Sequence, residues 1–145
     1  MNTDNTALDL VRQVTALTGY TKAAGTHVLF AQAGEVHREM KRRPDLLQFN
    51  GFFHGGVISG LADHAAGGTV TTALPSGKIA VTGDLHVKFL TPASGEAIVA
   101  KAKALQMGAT VCVANVEVFS VTDAETRLCA FAVVAPRVVD MPVKK

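Results

Sequence analysis

Hydrophobic positions near the start of the chain recur at the spacing of one helix face. Leu8, Val11, Val14 and Leu17 are three positions apart, and Gly19 follows where a helix end is expected. The pattern predicts an N-terminal helix.

Two short strands are predicted next. Residues 27–31 and 36–42 flank the turn-forming pair Ala33-Gly34, and the second segment ends before Pro44. The segment 55–74 has no proline and a helical pattern, and it closes at the turn signal of residues 75–77. Twenty residues at about 1.5 Å each predict a helix roughly 30 Å long.

After residue 78 the period of the pattern changes to two. Apolar side chains alternate with polar ones, and the apolar set is Val81, Leu85, Val87 and Phe89, while the polar set is Thr82, Asp84, His86 and Lys88. Three further long segments at 96–106, 110–121 and 127–139 are joined by short turns. They predict an antiparallel meander.

The long helix is poor in bulky side chains, which suits a sheet that curls around it. Its small residues are Gly55, Gly56, Ser59, Gly60, Ala62, Ala65, Ala66, Gly67 and Gly68. A glycine in a helix interior costs about 1 kcal/mol relative to alanine, so close packing or chemistry must compensate. We therefore predict an α+β fold in which a curved antiparallel sheet wraps around one long central helix, with an N-terminal helix in addition.

Composition narrows the functional classes. A chain of 145 residues predicts a single domain, 1–145, and 48% hydrophobic residues indicate buried contacts between subunits. A net charge of +2, one Tyr and no Trp argue against a nucleic-acid partner. Cys112 and Cys129 have no paired spacing, and five scattered histidines offer no metal spacing. We expect reduced core thiols and no metal.

The location of the protein is predicted from what the sequence lacks. The first ten residues carry no basic start followed by an apolar run, so a secretion signal is not expected. Nor does any apolar run approach the ~20 residues of a membrane span. A cytoplasmic protein without a membrane partner is predicted.

Asp63 is the residue that the helix pattern does not explain. Asp is unfavourable inside a helix, and the neighbours one turn away are uncharged, namely Ser59, Gly60, Ala66 and Gly67. His64 lies about 100° around the helix from Asp63, so the two do not form a catalytic pair. Either Asp63 faces water or its carboxylate has a chemical function.

A family resemblance favours the chemical function. Gln48, then His-Gly-Gly at 54–56, then Asp63 nine residues after the histidine closely resemble the hotdog-fold acyl-CoA thioesterases of the phenylacetate-pathway (PaaI-like) type. "VTGDLHVKFLTPASGE" and "GATVCVANVEVFSV" also fit, and the resemblance covers about residues 25–138. It implies a homodimer or a dimer of dimers. It also implies hydrolysis of acyl-CoA thioesters without a metal or bound cofactor, coenzyme A being part of the substrate.

The physics of a helix start fits this chemistry. Backbone N–H groups near Gly55 lack intrahelical partners and lie at the positive end of the helix dipole, where a thioester oxygen that becomes an oxyanion is stabilised. Asp63 would activate water as a general base or attack directly as a nucleophile. The two lie roughly 12 Å apart along the axis, too far for one thioester. The resemblance implies that Gly55 of one subunit faces Asp63 of the other.

The remaining site residues follow from the resemblance. Gln48 occupies the offset of an amide that holds the water or the acyl group, and Asn50 is its near competitor. Thr82 falls where a hydroxyl of the third strand contacts the catalytic region. His54 is expected to orient the turn and to help polarise the carbonyl.

An acyl pocket is expected near the helix start. Its predicted residues are Asn50, Phe52, Phe53, Gly56, Leu61 and Phe89, which suit an aromatic or medium-chain acyl group. The phosphates of coenzyme A would need cations, for which the candidates are Lys41, Arg42, Arg43, Lys88, Lys101, Lys103 and Arg137.

Two other functions stay open. A hotdog hydratase or dehydratase would need an Asp–His pair on the loop before the helix, but no Asp lies between His54 and the helix. A non-catalytic acyl-CoA-binding module would keep the pocket without turnover, and the carboxylate at position 63 argues against that alternative.

Overall fold

A computed structural model describes residues 5–17 and 19–142 of the chain. The outer limits of the predicted domain lie outside the described residues, and so do the first four of the ten residues on which the expectation about a secretion signal rests. The elements in chain order are α1 Asn5–Thr15, α2 Tyr20–Ala24, β1 His27–Gln32, β2 Glu35–Lys41, a 3-10 turn Pro44–Leu46, α3 Gly55–Thr72, β3 Lys78–Phe89, β4 Ala97–Met107, β5 Cys112–Val121 and β6 Thr126–Asp140.

The six described strands form one sheet in the order β1-β2-β4-β5-β6-β3, with every neighbouring pair antiparallel. The predicted meander is confirmed, because β4, β5 and β6 are consecutive neighbours. The strand β3 does not join β4. It pairs with β6 at one edge of the sheet, and the chain then crosses back to place β4 beside β2.

The helix α3 lies against the sheet and supplies the centre of the core. Its buried residues are Ile58, Leu61, Ala62, Ala65, Ala66, Thr69 and Val70. Most of them are small, so the sheet approaches the helix closely enough for Thr69 Oγ1 to donate a hydrogen bond to the carbonyl of Ala102 on β4, at 3.3 Å. The predicted wrapping of a curved sheet around one long helix is confirmed.

The helix α1 packs beside this core rather than within it. Ala7 and Val11 of α1 are buried against Ala31 and Val36 of the first two strands. The predicted apolar stripe is correct only in part, because α1 ends at Thr15 and leaves Leu17 58% exposed.

A β-bulge at Gly83 changes which side chains of β3 face α3. Thr82 is opposite Pro136 and Leu85 is opposite Val134, so Gly83 is the extra residue. Residues directly opposite each other share a face of the sheet, and Pro136 and Val134 are both buried. Without the bulge, Thr82 and Leu85 would lie on opposite faces, since they are three positions apart. The single apolar face predicted for β3 is therefore wrong.

Two expectations from composition can be compared with the structure. Cys112 and Cys129 are free and buried, as expected for core thiols. Among the described residues, no helix combines the length and the apolar character that crossing a membrane requires.

Candidate active site

The start of α3 leaves one backbone donor without a partner. His54 is the N-cap residue, and its Nδ1 accepts a hydrogen bond from the N–H of Gly56 at 2.9 Å. The carbonyl of His54 accepts from the N–H groups of Val57 and Ile58. The N–H of Gly55 has no hydrogen-bond partner within the described part of the chain. His54 therefore orders the first turn, and Gly55 holds the unused donor that an oxyanion needs.

The loop before α3 is folded by its own backbone. Gln48 N–H donates to the carbonyl of Phe52 at 2.8 Å, and Gly51, with φ of 84°, closes the turn back onto Gln48. Asn50 Oδ1 accepts from the N–H of Phe52 at 3.3 Å, so this side chain serves the loop. The Gln48 amide makes only a long contact, 3.5 Å, with the carbonyl of Phe53. Gln48 is the better placed of the two amides to bind a ligand.

A cavity of about 440 Å³ opens between this loop and the end of β3. We call it the glycine cavity, and its lining includes Gln48, Asn50, Phe52, Phe53, Gly55 and Phe89. The ring of Phe89 lies 3.4 Å from where a Cβ on Gly55 would stand. Glycine at position 55 therefore keeps the backbone accessible beside that ring.

Asp63 lies two turns further along α3, where it contacts the edge strand. Its side chain is half-buried, and its Oδ1 accepts a hydrogen bond from Thr82 Oγ1 at 2.5 Å. No ion pair to Asp63 occurs between described residues. The bulge at Gly83 turns Thr82 toward α3, so a local irregularity of β3 creates this contact.

A second cavity, of about 270 Å³, adjoins Asp63. We call it the carboxylate cavity. Its walls come from α1, Tyr20 of α2, β2, one face of α3 and the start of β3, and include Val14, Arg38, Asp63, Gly67 and Thr82. The predicted catalytic residues thus divide between two cavities. Gly55 and Gln48 line one, and Asp63 and Thr82 line the other.

Two of the predicted substrate contacts are placed differently. Leu61 is completely buried in the core and lines neither cavity, because its face of α3 points into the sheet. The N–H of Gly56 is already bound to His54 Nδ1 and cannot also serve a ligand without breaking the cap. The remaining predicted contacts, Asn50, Phe52, Phe53 and Phe89, all line the glycine cavity.

His64 is held away from acid–base chemistry. Its Nδ1 lies 3.4 Å from Thr26 Oγ1, and burial together with the nearby charge of Arg38 lowers the His64 pKa to about 3. The imidazole is therefore neutral at physiological pH.

Arg38 is the residue of this region that sequence reasoning missed. It is 1% exposed, lines the carboxylate cavity and donates from Nη1 to Thr15 Oγ1 at 2.8 Å. Burial lowers its pKa to about 10, so it remains charged at neutral pH. A signal was present, because Val36, Arg38 and Met40 occupy the same phase of an alternating strand. The pattern places a charged residue among apolar ones.

Two of the cations predicted for coenzyme A have other partners. The guanidinium of Arg42 donates to the carbonyls of Gly51, Ser94 and Gly95. Arg43 pairs with Asp45 and donates to backbone carbonyls at the end of α2. In residues 5–17 and 19–142, no three His, Cys, Asp or Glu side chains form a group that could hold a metal ion.

Comparisons with known proteins identify the family to which the chain belongs. The sequence model of the thioesterase superfamily matches residues 50–127, the stretch that includes the helix start, Asp63 and Thr82. A predicted esterase of Halobacterium salinarum is 42% identical over 113 residues, which cover 74% of this chain and 73% of that protein.

Solved structures show the same fold. A thioesterase family protein of Silicibacter pomeroyi has a TM-score of 0.88 at 25% identity, covering 93% of this chain and 99% of its own. The zebrafish thioesterase superfamily member 2 has a TM-score of 0.78 at 25% identity, over 94% and 99% of the two chains. The PaaI protein of Escherichia coli shares the fold with a TM-score of 0.77, at 20% identity over 94% of each chain. The chain has the hotdog fold and belongs to the thioesterase superfamily.

Proposed function

We propose that the protein hydrolyses acyl-CoA thioesters to the free acid and coenzyme A. The observation that carries the proposal is that one helix presents both a free backbone donor at its start and a half-buried carboxylate that has no ion pair among the described residues. Gly55 N–H supplies the donor, and Asp63, oriented by Thr82, supplies the base. Membership of the thioesterase superfamily supports the reaction class.

The proposed reaction uses the Asp63 carboxylate, the Gly55 N–H and a water molecule. The carboxylate of Asp63 removes a proton from water, and the resulting hydroxide attacks the thioester carbon. The carbonyl oxygen becomes an oxyanion that accepts a hydrogen bond from Gly55 N–H. Collapse of the tetrahedral intermediate breaks the C–S bond, and the proton held by Asp63 passes to the departing sulfur. Gln48 would orient the water or the acyl group, and His54 would keep the turn in place.

A second protomer would complete this site. Gly55 and Asp63 are eight positions apart, about 12 Å along a rigid helix, and they line different cavities. The strand β3 is a 12-residue edge strand with one unpaired side, and its Val81 and Phe89 are 50% and 55% exposed. The unpaired N–H and C=O groups of an edge strand are a template for pairing with another chain.

Antiparallel pairing of two β3 strands about a two-fold axis joins the cavities. An axis through the middle of β3 brings its Phe89 end beside the Lys78 end of the partner's strand. Phe89 lines the glycine cavity, whereas Ile79, Ala80 and Thr82 line the carboxylate cavity. The glycine cavity of each protomer would then face the partner's Asp63, giving two equivalent sites.

The proposal is tested by the change Asp63→Asn, which keeps the shape of the side chain and removes its charge. Release of the coenzyme A thiol would be followed with a thiol reagent over a panel of acyl-CoA thioesters. The wild type is expected to hydrolyse at least one of these thioesters. Asp63→Asn should lower kcat by at least about 100-fold, the effect of removing a positioned base. Full activity of a folded variant would exclude Asp63 from the mechanism. No turnover of any thioester by the wild type would favour a binding module.

The role of Asp63 as base or nucleophile can be separated in a single turnover in H₂¹⁸O. If Asp63 activates water, the label enters the released acid and never the protein. If Asp63 attacks directly, a mixed anhydride forms, and water attack on its aspartyl carbonyl leaves the label on Asp63, where mass spectrometry would detect it.

A further inference from the structure

The inner wall of the carboxylate cavity contains a buried cation, for which the described residues supply no counter-ion. Arg38 is almost completely inaccessible, yet within the described part of the chain it forms no ion pair. Its Nη1 is bound to Thr15, whereas neither Nε nor Nη2 has a hydrogen-bond partner among the described residues. An unpaired buried charge is costly, so natural proteins pair it or use it.

The unused edge of Arg38 has the geometry of a carboxylate receptor. Nε and Nη2 form the parallel pair of donors through which a guanidinium binds both oxygens of one carboxylate. Nη2 lies 3.1 Å from where a Cβ on Gly68 would stand, so glycine leaves room at this edge. At Gly67 a Cβ would meet no atom within 4 Å. The two glycines therefore keep the path between Asp63 and Arg38 open.

The size of the cavity limits what can occupy it. A cavity of about 150 Å³ already holds benzene, and the carboxylate cavity measures about 270 Å³. Asp63 and Gly68 are five positions apart on α3, a rise of about 7.5 Å. Three backbone bonds span about 3.5 Å when extended, so some six bonds of an acyl chain cover that distance. Leu10, Val11 and Val14 of α1 offer apolar contacts along the way.

We infer that the preferred acyl group carries a carboxylate at its far end, which Arg38 binds while the thioester carbonyl lies beside Asp63. The substrates are thus CoA monothioesters of dicarboxylic acids, with either an aliphatic chain or an aromatic ring between the two ends. The inference rests on the proposed function, because it places the acyl group in the cavity that adjoins Asp63. Neutral His64, also on this wall, adds no competing charge.

A matched pair of substrates tests the inference. Adipyl-CoA and hexanoyl-CoA have the same chain length and differ only in a terminal carboxylate or methyl group. We expect kcat/KM for adipyl-CoA to be at least about 100-fold higher, since a site built around buried donors rejects an analogue that leaves them unpaired. The pair 4-carboxybenzoyl-CoA and 4-methylbenzoyl-CoA makes the same comparison with an aromatic ring in place of the aliphatic chain. If adipyl-CoA is hydrolysed faster than 4-carboxybenzoyl-CoA, the preferred acyl group is aliphatic, and the reverse order indicates an aromatic one. A methyl-terminated or hydroxylated acyl group hydrolysed as well as its carboxylated counterpart would overturn the inference.

Variants separate recognition from structural support. Arg38→Met should remove the preference, mainly by raising KM for the carboxylated ester, so that adipyl-CoA and hexanoyl-CoA are hydrolysed with similar kcat/KM. Thr15→Val is the matched control, because it deletes the Arg38–Thr15 hydrogen bond outside the cavity and keeps the free edge. If Arg38 only anchors α1, both variants will lower the turnover of both esters equally. If Arg38→Met does not fold, Arg38→Lys takes its place in the test. It keeps the charge but loses the parallel donors, so it should retain only part of the preference for the carboxylated ester.

Binding distinguishes failure of this inference from failure of the proposed function. Calorimetric titration of the Asp63→Asn protein with adipyl-CoA and with hexanoyl-CoA needs no turnover. Tighter binding of adipyl-CoA that disappears in the Asp63→Asn, Arg38→Met double variant supports recognition by Arg38, whether or not hydrolysis occurs. Equal affinities would contradict the inference even if the protein proves to be an acyl-CoA thioesterase.

Discussion

Thr82 Oγ1 donates a hydrogen bond to Asp63 Oδ1 at 2.5 Å, and this contact joins the central helix to the edge strand of the sheet. One oxygen of the carboxylate is thereby fixed in position, while the other carries no ion pair among the described residues. A base must present one lone pair to its water in a defined direction, and a hydrogen bond to the other oxygen provides that direction. The same contact lies at the edge where a second protomer is proposed to pair.

Replacement Thr82→Val should lower activity with little loss of stability. Valine has nearly the shape of threonine but cannot donate, and the side chain is exposed at the sheet edge. Hydrogen bonds to charged groups contribute about 1.5–3 kcal/mol, so kcat should fall roughly 10- to 100-fold. Thr82→Ser, which keeps the hydroxyl, should stay within a few-fold of wild type. Equal activity of the valine and serine variants would show that the hydroxyl is not needed.

The bulge at Gly83 can be tested separately from the hydroxyl. In Gly83→Ala the new Cβ would stand 3.0 Å from the carbonyl oxygen of Ala135 and 3.3 Å from Arg137 Cγ. We expect a loss of about 1–3 kcal/mol in the free energy of unfolding from this overpacking, together with reduced kcat as Thr82 moves. Urea denaturation and thiol release would be measured on the same preparation. An unchanged unfolding midpoint would mean that the strand relaxes around the methyl group.

Sequence periodicity was sufficient to predict the helix and the spacing of its two candidate site residues, Gly55 and Asp63. The turn at 54–56 and Asp63 lie on one uninterrupted helical segment, so their separation follows from the rise per residue. The contact of Asp63 with Thr82 could not be predicted from periodicity, because a one-residue bulge reverses the face of the sheet to which the following side chains point. An alternating pattern cannot reveal such a shift when the extra residue is a glycine without a side chain to mark its face.

The position of β3 in the sheet and the use of Arg38 depend on long-range packing. Nothing local to β3 indicates that it pairs with β6, the last strand, rather than with the strand that follows it. Arg38 stands in the apolar phase of β2, which predicts burial, but only the packed structure brings it to the cavity that Asp63 lines.

A glycine that keeps a cavity open should be replaceable at a gain in stability and a cost in function. Gly67→Ala adds a Cβ with no atom within 4 Å, and alanine is favoured over glycine in a helix interior by about 1 kcal/mol. The free energy of unfolding should therefore rise by up to about 1 kcal/mol, while kcat/KM falls for acyl groups that fill the carboxylate cavity. Gly77 is the control, since it also has open space but has φ of 83°, so Gly77→Ala should destabilise. An unfolding midpoint that drops in Gly67→Ala would contradict the packing around α3.

Stability should depend on acid through His64. The unfolded chain protonates this residue near pH 6.5, whereas the folded protein keeps it neutral until its pKa of about 3. Between these values the unfolded state binds more protons than the folded state. The free energy of unfolding is therefore not reduced by His64 above pH 6.5, and it declines as the pH falls toward 3. From pH 7 to pH 5 the wild type should lose up to about 2 kcal/mol more than His64→Gln. Denaturant titrations of both proteins at the two pH values measure the difference, and parallel losses would mean that His64 is not held neutral.

Complementation between two inactive chains tests most directly whether the active site is shared between two protomers. Asp63→Asn removes the base, and Gly55→Pro removes the backbone donor. Proline is well tolerated at the first position of a helix, and the preceding His54 already has the extended conformation, ψ 140°, that proline requires. Each variant alone should be inactive as a homodimer. In a heterodimer one site would carry both defects and the other neither, so mixing with demonstrated subunit exchange should restore up to about half the wild-type activity per heterodimer. Exchange without any recovered activity would mean that each chain holds a complete site of its own, which contradicts the shared active site.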